Sequence, residues 1–320
     1  MKALVAQELS GPAGLKYTDV DDVGGDNVVV IDVGAAGVSF PDLLLLRGEY
    51  QLRLDPPFIP GMEVAGVVRS APEESEFKPG QRVTALSMLG GWAEQVAVPP
   101  ENLKLTPDGI DDAEAVALLG NYQTMYFALA KRGGLRQGET VLVLGSGGGI
   151  GTASVQIAKA LGARVIAMVH RPEAKDFVKS LGADVVLPLT DGWLQAVKDV
   201  TDGRGVDLVV DPIGGDAFDD AIRALDTEGR LLVIGFAAGR IPTVKVNRLL
   251  LRNISVVGVG YGEFVNRKPG AQSLFEYGVN ELVKAGLRPP PPIRFPLSEG
   301  SAALQSLADG GVLGKVVLEP

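Results

Sequence analysis

One stretch constrains this chain more than any other: the apolar run VLVLG at 141–145, then Ser146-Gly147-Gly148-Gly149-Ile150-Gly151, then a helical pattern. That pattern puts Ile150, Ser154, Ile157, Ala158 and Leu161 on one face and stops at Gly162. A buried strand, a glycine turn and a helix in direct succession open a βαβ unit. Gly148 and Gly151 match the second and third positions of a G-x-G-x-x-G fingerprint, and Ser146 stands at the first. Such glycines allow a tight turn and close approach of a pyrophosphate, whose charge is met by the free N–H groups and dipole of the helix start. The alternative is a purely structural glycine turn, so the surrounding pattern has to decide.

That pattern is regular. From about Gly120 the runs VLVLG, RVIAMV, DVVLP, VDLVVD, RLLVIG and ISVVGV alternate with helical stretches. Near-continuous apolar strands separated by crossover helices predict a parallel sheet covered on both faces. The first 118 residues differ: KALVAQ, NVVVIDVG, AGVVRS, QRVTALS and AEQVAV are short β-like runs divided by Gly, Pro and Asp. After about residue 262 come a helix (SLFEYGVNELVKAG), a proline run at 289–292, a short helix and a closing strand, GKVVLEP. This tail is too short to bury a core of its own. The expectation is therefore a β domain from 1–118 with 262–320, and a dinucleotide-binding α/β domain over 119–261.

Composition removes several function classes. A net charge of -9 and a pI near 4.8 oppose nucleic-acid binding. No apolar run has membrane-spanning length, and MKALVAQELS reads as an opening strand without a leader's apolar middle, so the expected setting is the cytoplasm. With no cysteine and one histidine, His170, the chain can hardly supply three ligands to a catalytic zinc.

Cofactor choice is read at the end of the second apolar run. NAD-specific versions carry an acid there for the ribose 2′-hydroxyl. Here RVIAMV ends in Val169, His170 and Arg171, and Glu173 follows only after Pro172. A guanidinium pairs with a 2′-phosphate, which favours NADPH. Arg171 is the candidate contact, and His170 is equally a phosphate contact or a loop residue without a role.

Seven segments together resemble the zinc-free quinone oxidoreductases related to ζ-crystallin, within the medium-chain dehydrogenase/reductase superfamily. They are GVSFPDLLLLRGEY, PFIPGMEVAGVV, NYQTMYFAL, VLVLGSGGGIGTASVQIAKALGARV, GRGVDLVVDPIGG, GRLLVIGFAAGRIP and the closing GKVVLEP. The resemblance implies an α/β protein with a GroES-like β domain built from both chain ends and an inserted Rossmann domain. It implies a homodimer formed through the last Rossmann strand, 254–259. Zinc-containing relatives have a Cys ligand where Ser39 stands and a His-Glu pair where Met62-Glu63 stands. Without a Lewis acid, the fitting hydride acceptor delocalises its own charge, as quinones and conjugated carbonyls do, and needs only hydrogen-bond donors.

Residue by residue, the resemblance implies that Ser39 contacts the carboxamide or the substrate, Tyr50 donates to the acceptor oxygen, and Thr124 lies near the nicotinamide. It implies that Lys315 points towards the cofactor phosphates, with a solvated strand-end lysine as the alternative. Gly235 and Phe236, at the end of the fifth run, border the nicotinamide. Asp42 and Glu63 are read as structural, hydrogen-bonded or ion-paired. Asp211, Pro212 and Gly214 line the cofactor cleft or serve only as a turn. Two other readings stay open: an enone or enoyl-thioester reductase on the same scaffold, and a cofactor-binding structural or RNA-binding module.

Overall fold

The short β-like runs of the first 120 residues form an antiparallel framework in the computed structural model, which describes residues 1–268 and 270–320. The main sheet runs Ile293–Pro296, Val316–Glu319, Val29–Val38, Glu63–Ser70, Arg82–Leu86, Leu103–Leu105, with the first two strands parallel and the rest antiparallel, and Gln95–Val98 pairs with the first half of Val29–Val38. Lys2–Ala6 and Leu15–Asp19 make a separate hairpin. Contacts group 1–120 with 289–320 as one unit. The chain's last strand explains this grouping: Val316, Val317 and Leu318 pair antiparallel with Val38, Gly37 and Ala36. Trp92, Ile31, Leu43, Leu46, Leu103, Leu304 and Leu318 fill the core beneath.

Residues 121–288 form the second unit. Its six strands are all parallel and lie in the order Val185–Pro188, Arg164–Val169, Thr140–Val143, Val206–Asp211, Leu225–Val233, Ser255–Gly258. Numbered along the chain this is 3-2-1-4-5-6, the doubly wound dinucleotide-binding order. Each strand coincides with one of the six apolar runs. Leu142, Leu144, Ile166, Met168, Val209 and Leu231 are buried, as double coverage of a parallel sheet requires. Ser255–Gly258 is an edge strand.

Two features depart from the sequence expectation. The segment 262–288, assigned to the β domain, belongs with the second unit. The helix Ala271–Lys284 turns Phe275 into an aromatic cluster with Phe127, Tyr261 and Phe264, and Gly278 accommodates the Tyr126 ring so closely that a Cβ there would overlap it. These partners all lie within 121–288, and no local signal in an amphipathic helix says which core it joins. The second departure is the strand Ile293–Pro296 directly after the proline run, where a short helix was expected next. No helix among the described residues is long and apolar enough to cross a membrane.

Candidate active site

In the second unit the glycine turn leads into the helix Gly149–Ala160, whose N-cap is Gly148 and whose start no side chain caps. The first-turn N–H groups therefore remain available to an anion. A Cβ on Gly151 would overlap the Gly145 carbonyl and the Ser146 backbone, so this position lets helix and strand meet. A Cβ on Gly148 would meet only the Gly145 oxygen, at 3.9 Å, which leaves open space above the turn. Gly147, Gly149 and Ile150 complete the loop. Ser146, at the first fingerprint position, is buried; its hydroxyl donates to Val143 O (2.8 Å) and accepts from Met168 N (3.1 Å), and its amide donates to Met168 O. Its side chain holds the first two strand ends together and has no hydrogen left for a phosphate.

At the end of Arg164–Val169 the chain leaves the core abruptly. Val169 is buried, whereas His170, Arg171 and Glu173 are exposed, and Arg171 has no ion-pair partner among the described residues. The loops after the fourth and fifth strands are joined by backbone bonds from Ile234, Ala237 and Ala238 to Asp211, Pro212 and Ile213. This brings Phe236 against Gly214 and sets Gly235 beside Pro212. Asp211 organises the turn by accepting from Ile213 N and Gly214 N, and burial raises its carboxyl above the ordinary range against the pull of those amides. Thr124 is half-buried in Gln123–Tyr126, a single α turn between the π-helical stretches Leu118–Tyr122 and Phe127–Arg132. Such π turns are frequent at functional sites.

The first unit gathers a second group of residues. Ser39 is the N-cap of the helix Phe40–Leu46, and Asp42 Oδ2 reaches back to accept the Ser39 backbone N–H at 2.8 Å. The Ser39 hydroxyl donates to Glu63 Oε2 (2.7 Å) and accepts from Lys315 Nζ (2.6 Å), and Lys315 is itself ion-paired with Glu63 Oε2. Glu63 Oε1 accepts the Gly120 amide at 2.8 Å. Asp42, Glu63 and Lys315 are 0%, 4% and 5% exposed, and Ser39 is half-buried. Two buried carboxyls and one ammonium are neutral together only if they hold one extra proton. Burial, then the Glu63 charge, push Asp42 up to about 7, with Lys315 and the Ser39 and Gly61 amides pulling the other way. Tyr50, half-buried, is raised by burial and then by the Asp42 charge, so its phenol keeps its proton at neutral pH.

Lys315, expected at the cofactor phosphates or as a solvated strand-end lysine, is buried, which removes the solvated alternative. Its buried ion pair with Glu63 holds it inside the first unit, because an unpaired carboxylate there would be costly. Ser39 and Glu63 are joined by a hydrogen bond. Their link to Lys315, 252 positions beyond Glu63, has no sequence signal. The nearest clue is a pair of glycines, since a Cβ at either Gly37 or Gly120 would overlap the Glu63 carboxylate.

Residues 25–108 match the family described as alcohol dehydrogenase GroES-like domain, and 149–276 match the zinc-binding dehydrogenase family. A quinone oxidoreductase-like protein 2 homolog of Nematostella vectensis is 31% identical, over 99% of this chain and 88% of its own length. The chain belongs to the quinone oxidoreductase-like medium-chain dehydrogenase/reductases. Among solved structures, a "probable oxidoreductase" from Mycobacterium abscessus is 61% identical with a TM-score of 0.93, covering 100% of this chain and 99% of that one. The quinone oxidoreductase of Thermus thermophilus, also solved as its NADPH complex, is 37% identical with a TM-score of 0.86, covering 100% of both chains. Membership makes this chain an oxidoreductase. Despite the second family's description, no three described His, Cys, Asp or Glu side chains form a metal-ligand group.

Proposed function

We propose that this chain is an NADPH-dependent reductase of quinones and similar small conjugated carbonyls that works without zinc. The observation that carries the reading is the buried cluster in the first unit. At the positions where zinc relatives hold ligands, Ser39 and Glu63 bind an ammonium, and Met62 offers no comparable ligand. A second cation does not fit beside that ammonium. The acceptor must then carry its own developing charge, which selects conjugated systems, with hydroxyl donors meeting the oxygen.

The residues of the second unit fit NADPH. The uncapped helix start and open space at Gly148 suit the pyrophosphate, and exposed Arg171, with no acid at the strand end, suits a 2′-phosphate. NADPH, when bound, supplies the hydride. Tyr50, Ser39 and Thr124 are assigned to orienting the reactants. Gly235 and Phe236 are assigned to the nicotinamide edge. The working unit is a homodimer joined along the edge strand Ser255–Gly258, and the helix that precedes it in sequence exposes the apolar Val246, Leu250 and Leu251.

The test is NADPH oxidation by the purified protein against 1,2-naphthoquinone, 9,10-phenanthrenequinone, simple enones and an enoyl thioester, with and without chelator. Quinones turned over fastest, insensitive to chelator, are the expected result. Preference for the thioester would move the assignment to enoyl reduction, and cofactor binding without turnover of any acceptor would reduce the chain to a binding module. One zinc per chain by elemental analysis would overturn the metal-free part.

A further inference from the structure

Ser39 Oγ, Lys315 Nζ and Glu63 Oε2 close a triangle of contacts in which only Ser39 reaches beyond the protein interior. Glu63 Oε1 is satisfied by the Gly120 amide, and Oε2 is satisfied by Lys315 whether or not Ser39 also donates to it. The Ser39 hydroxyl hydrogen can therefore turn away from Glu63 without leaving a buried acceptor unpaired. Lys315 cannot turn away, because its ammonium would abandon a carboxylate that is almost fully buried. The Ser39 oxygen meanwhile accepts from Lys315 at 2.6 Å, and a charged donor on an oxygen makes that oxygen's own hydrogen a stronger donor. The arrangement thus has one movable hydrogen, on the one half-buried side chain, backed by a fixed cation.

We propose that Ser39 gives a proton to the acceptor oxygen during reduction and that Lys315, a positioning residue acting through Ser39, replaces it. The proposal rests on the reductase reading above and adds a route for the proton that reading leaves unassigned. The hydride brings one hydrogen and an electron pair to the acceptor, and negative charge gathers on the acceptor oxygen. That oxygen forms a bond to the Ser39 proton as the Oγ–H bond breaks. Oγ then takes a proton from Lys315 Nζ, leaving a neutral amine hydrogen-bonded to Glu63. Acceptor, hydride and one proton give the reduced product, and Lys315 regains its proton from solvent as product leaves. Tyr50 donates a hydrogen bond to the same oxygen but has no buried cation behind it, so the proton itself is assigned to Ser39. The other ionisable group facing the triangle among the described residues is Asp42, whose carboxyl is raised by burial and then by the Glu63 charge.

The experiment compares wild type with Ser39→Ala, Lys315→Met, Lys315→Arg and the double variant Lys315→Met/Glu63→Leu. The double variant removes both buried charges, and so stays informative if Lys315→Met alone does not fold. Circular dichroism establishes that each is folded. The hydride-transfer rate is measured by stopped flow from NADPH to 9,10-phenanthrenequinone in H2O and D2O, and 4-nitrophenolate binding is titrated without cofactor. Ser39→Ala, Lys315→Met and the double variant are expected to transfer hydride on the order of 100-fold more slowly, the lower range for general acid catalysis. They should lose the wild type's solvent isotope effect, keep the KM for NADPH and bind 4-nitrophenolate at least about tenfold more weakly, the loss of one charge-assisted hydrogen bond. Lys315→Arg keeps the charge but presents a guanidinium that does not release its proton, so it should retain phenolate affinity while hydride transfer stays slow. A folded double variant with the wild-type rate and isotope effect would overturn the proposal. If the wild type itself reduces no acceptor, the reductase reading fails, and equal phenolate affinity in wild type and Lys315→Met would then overturn the relay separately.

Discussion

Asp42 Oδ2 accepts the Ser39 backbone N–H at 2.8 Å, while Asp42 Oδ1, equally buried, has no hydrogen-bond partner of ordinary geometry. A carboxylate so placed is poorly solvated, which fits its rise from 3.8 to about 7. The folded chain then binds this proton more tightly than the unfolded chain, so stability is greatest below about pH 4 for this group and falls as pH rises to about 7. Acting alone the change would be on the order of 4 kcal/mol. Asp42→Asn should flatten the curve between pH 4 and 7, measured by urea unfolding at four pH values. A variant with the wild-type slope would assign the titration to another group.

Tyr50→Phe is expected to lower kcat by about 10- to 100-fold, somewhat less than loss of a strong oxyanion donor, and to leave the KM for NADPH nearly unchanged. Burial and the Asp42 charge keep the phenol protonated, so the loss should be uniform from pH 6 to 8. Steady-state kinetics across that range decide the point. An unchanged kcat would make Tyr50 only a wall.

Arg171→Ala should weaken NADPH by about 10- to 150-fold, the worth of one charge-assisted hydrogen bond of roughly 1.5 to 3 kcal/mol, and leave NADH nearly untouched. The side chain is exposed, so the wild-type preference for NADPH should shrink as salt is raised. Isothermal titration with both cofactors tests this, and equal weakening of both would exclude Arg171 as the 2′-phosphate reader.

Gly148→Ala and Gly151→Ala should behave oppositely. At Gly151 a methyl collides with backbone that cannot move aside, and overpacking of that kind costs about 1 to 3 kcal/mol. Its Tm should drop with or without cofactor. At Gly148 a methyl enters open space, so the apoprotein should keep its Tm and lose the stabilisation that NADPH confers. Thermal melts of both variants, with and without NADPH, separate the two roles.

Leu250→Asp with Leu251→Asp should convert the expected dimer to monomer without unfolding it, because these side chains are 76% and 77% exposed. Light scattering at micromolar concentration reads the result. A wild type already monomeric there would remove the dimer.

The second unit was legible because a parallel sheet covered on both faces writes its strands as apolar runs, and all six strands fall on such runs. The glycine loop was legible for the same local reason: turn, strand and helix are adjacent in sequence. The bond from Met168 N to the Ser146 hydroxyl across the sheet was not legible, because no fingerprint specifies that partner. The 262–288 segment was misplaced because the aromatic ring contacts that hold it are tertiary. Asp42 and Glu63 could be read as paired groups, but the partner of Glu63 comes from the far end of the chain.

That distance has a consequence for how the protein is made. Ser39, Asp42 and Glu63 emerge from the ribosome before the whole of 121–288, and Lys315 only after it. Until the closing strand Val316–Glu319 docks between Val29–Val38 and Ile293–Pro296, the first unit lacks both a central strand and the cation for its buried acid. The 121–288 unit, whose partners lie within its own stretch of chain, can fold while still tethered, whereas the first unit stays unfinished until 289–320 has been made. A nascent chain that stopped before Lys315 would hold Asp42 and Glu63 with no ammonium between them, and quality control would meet it as an open sheet.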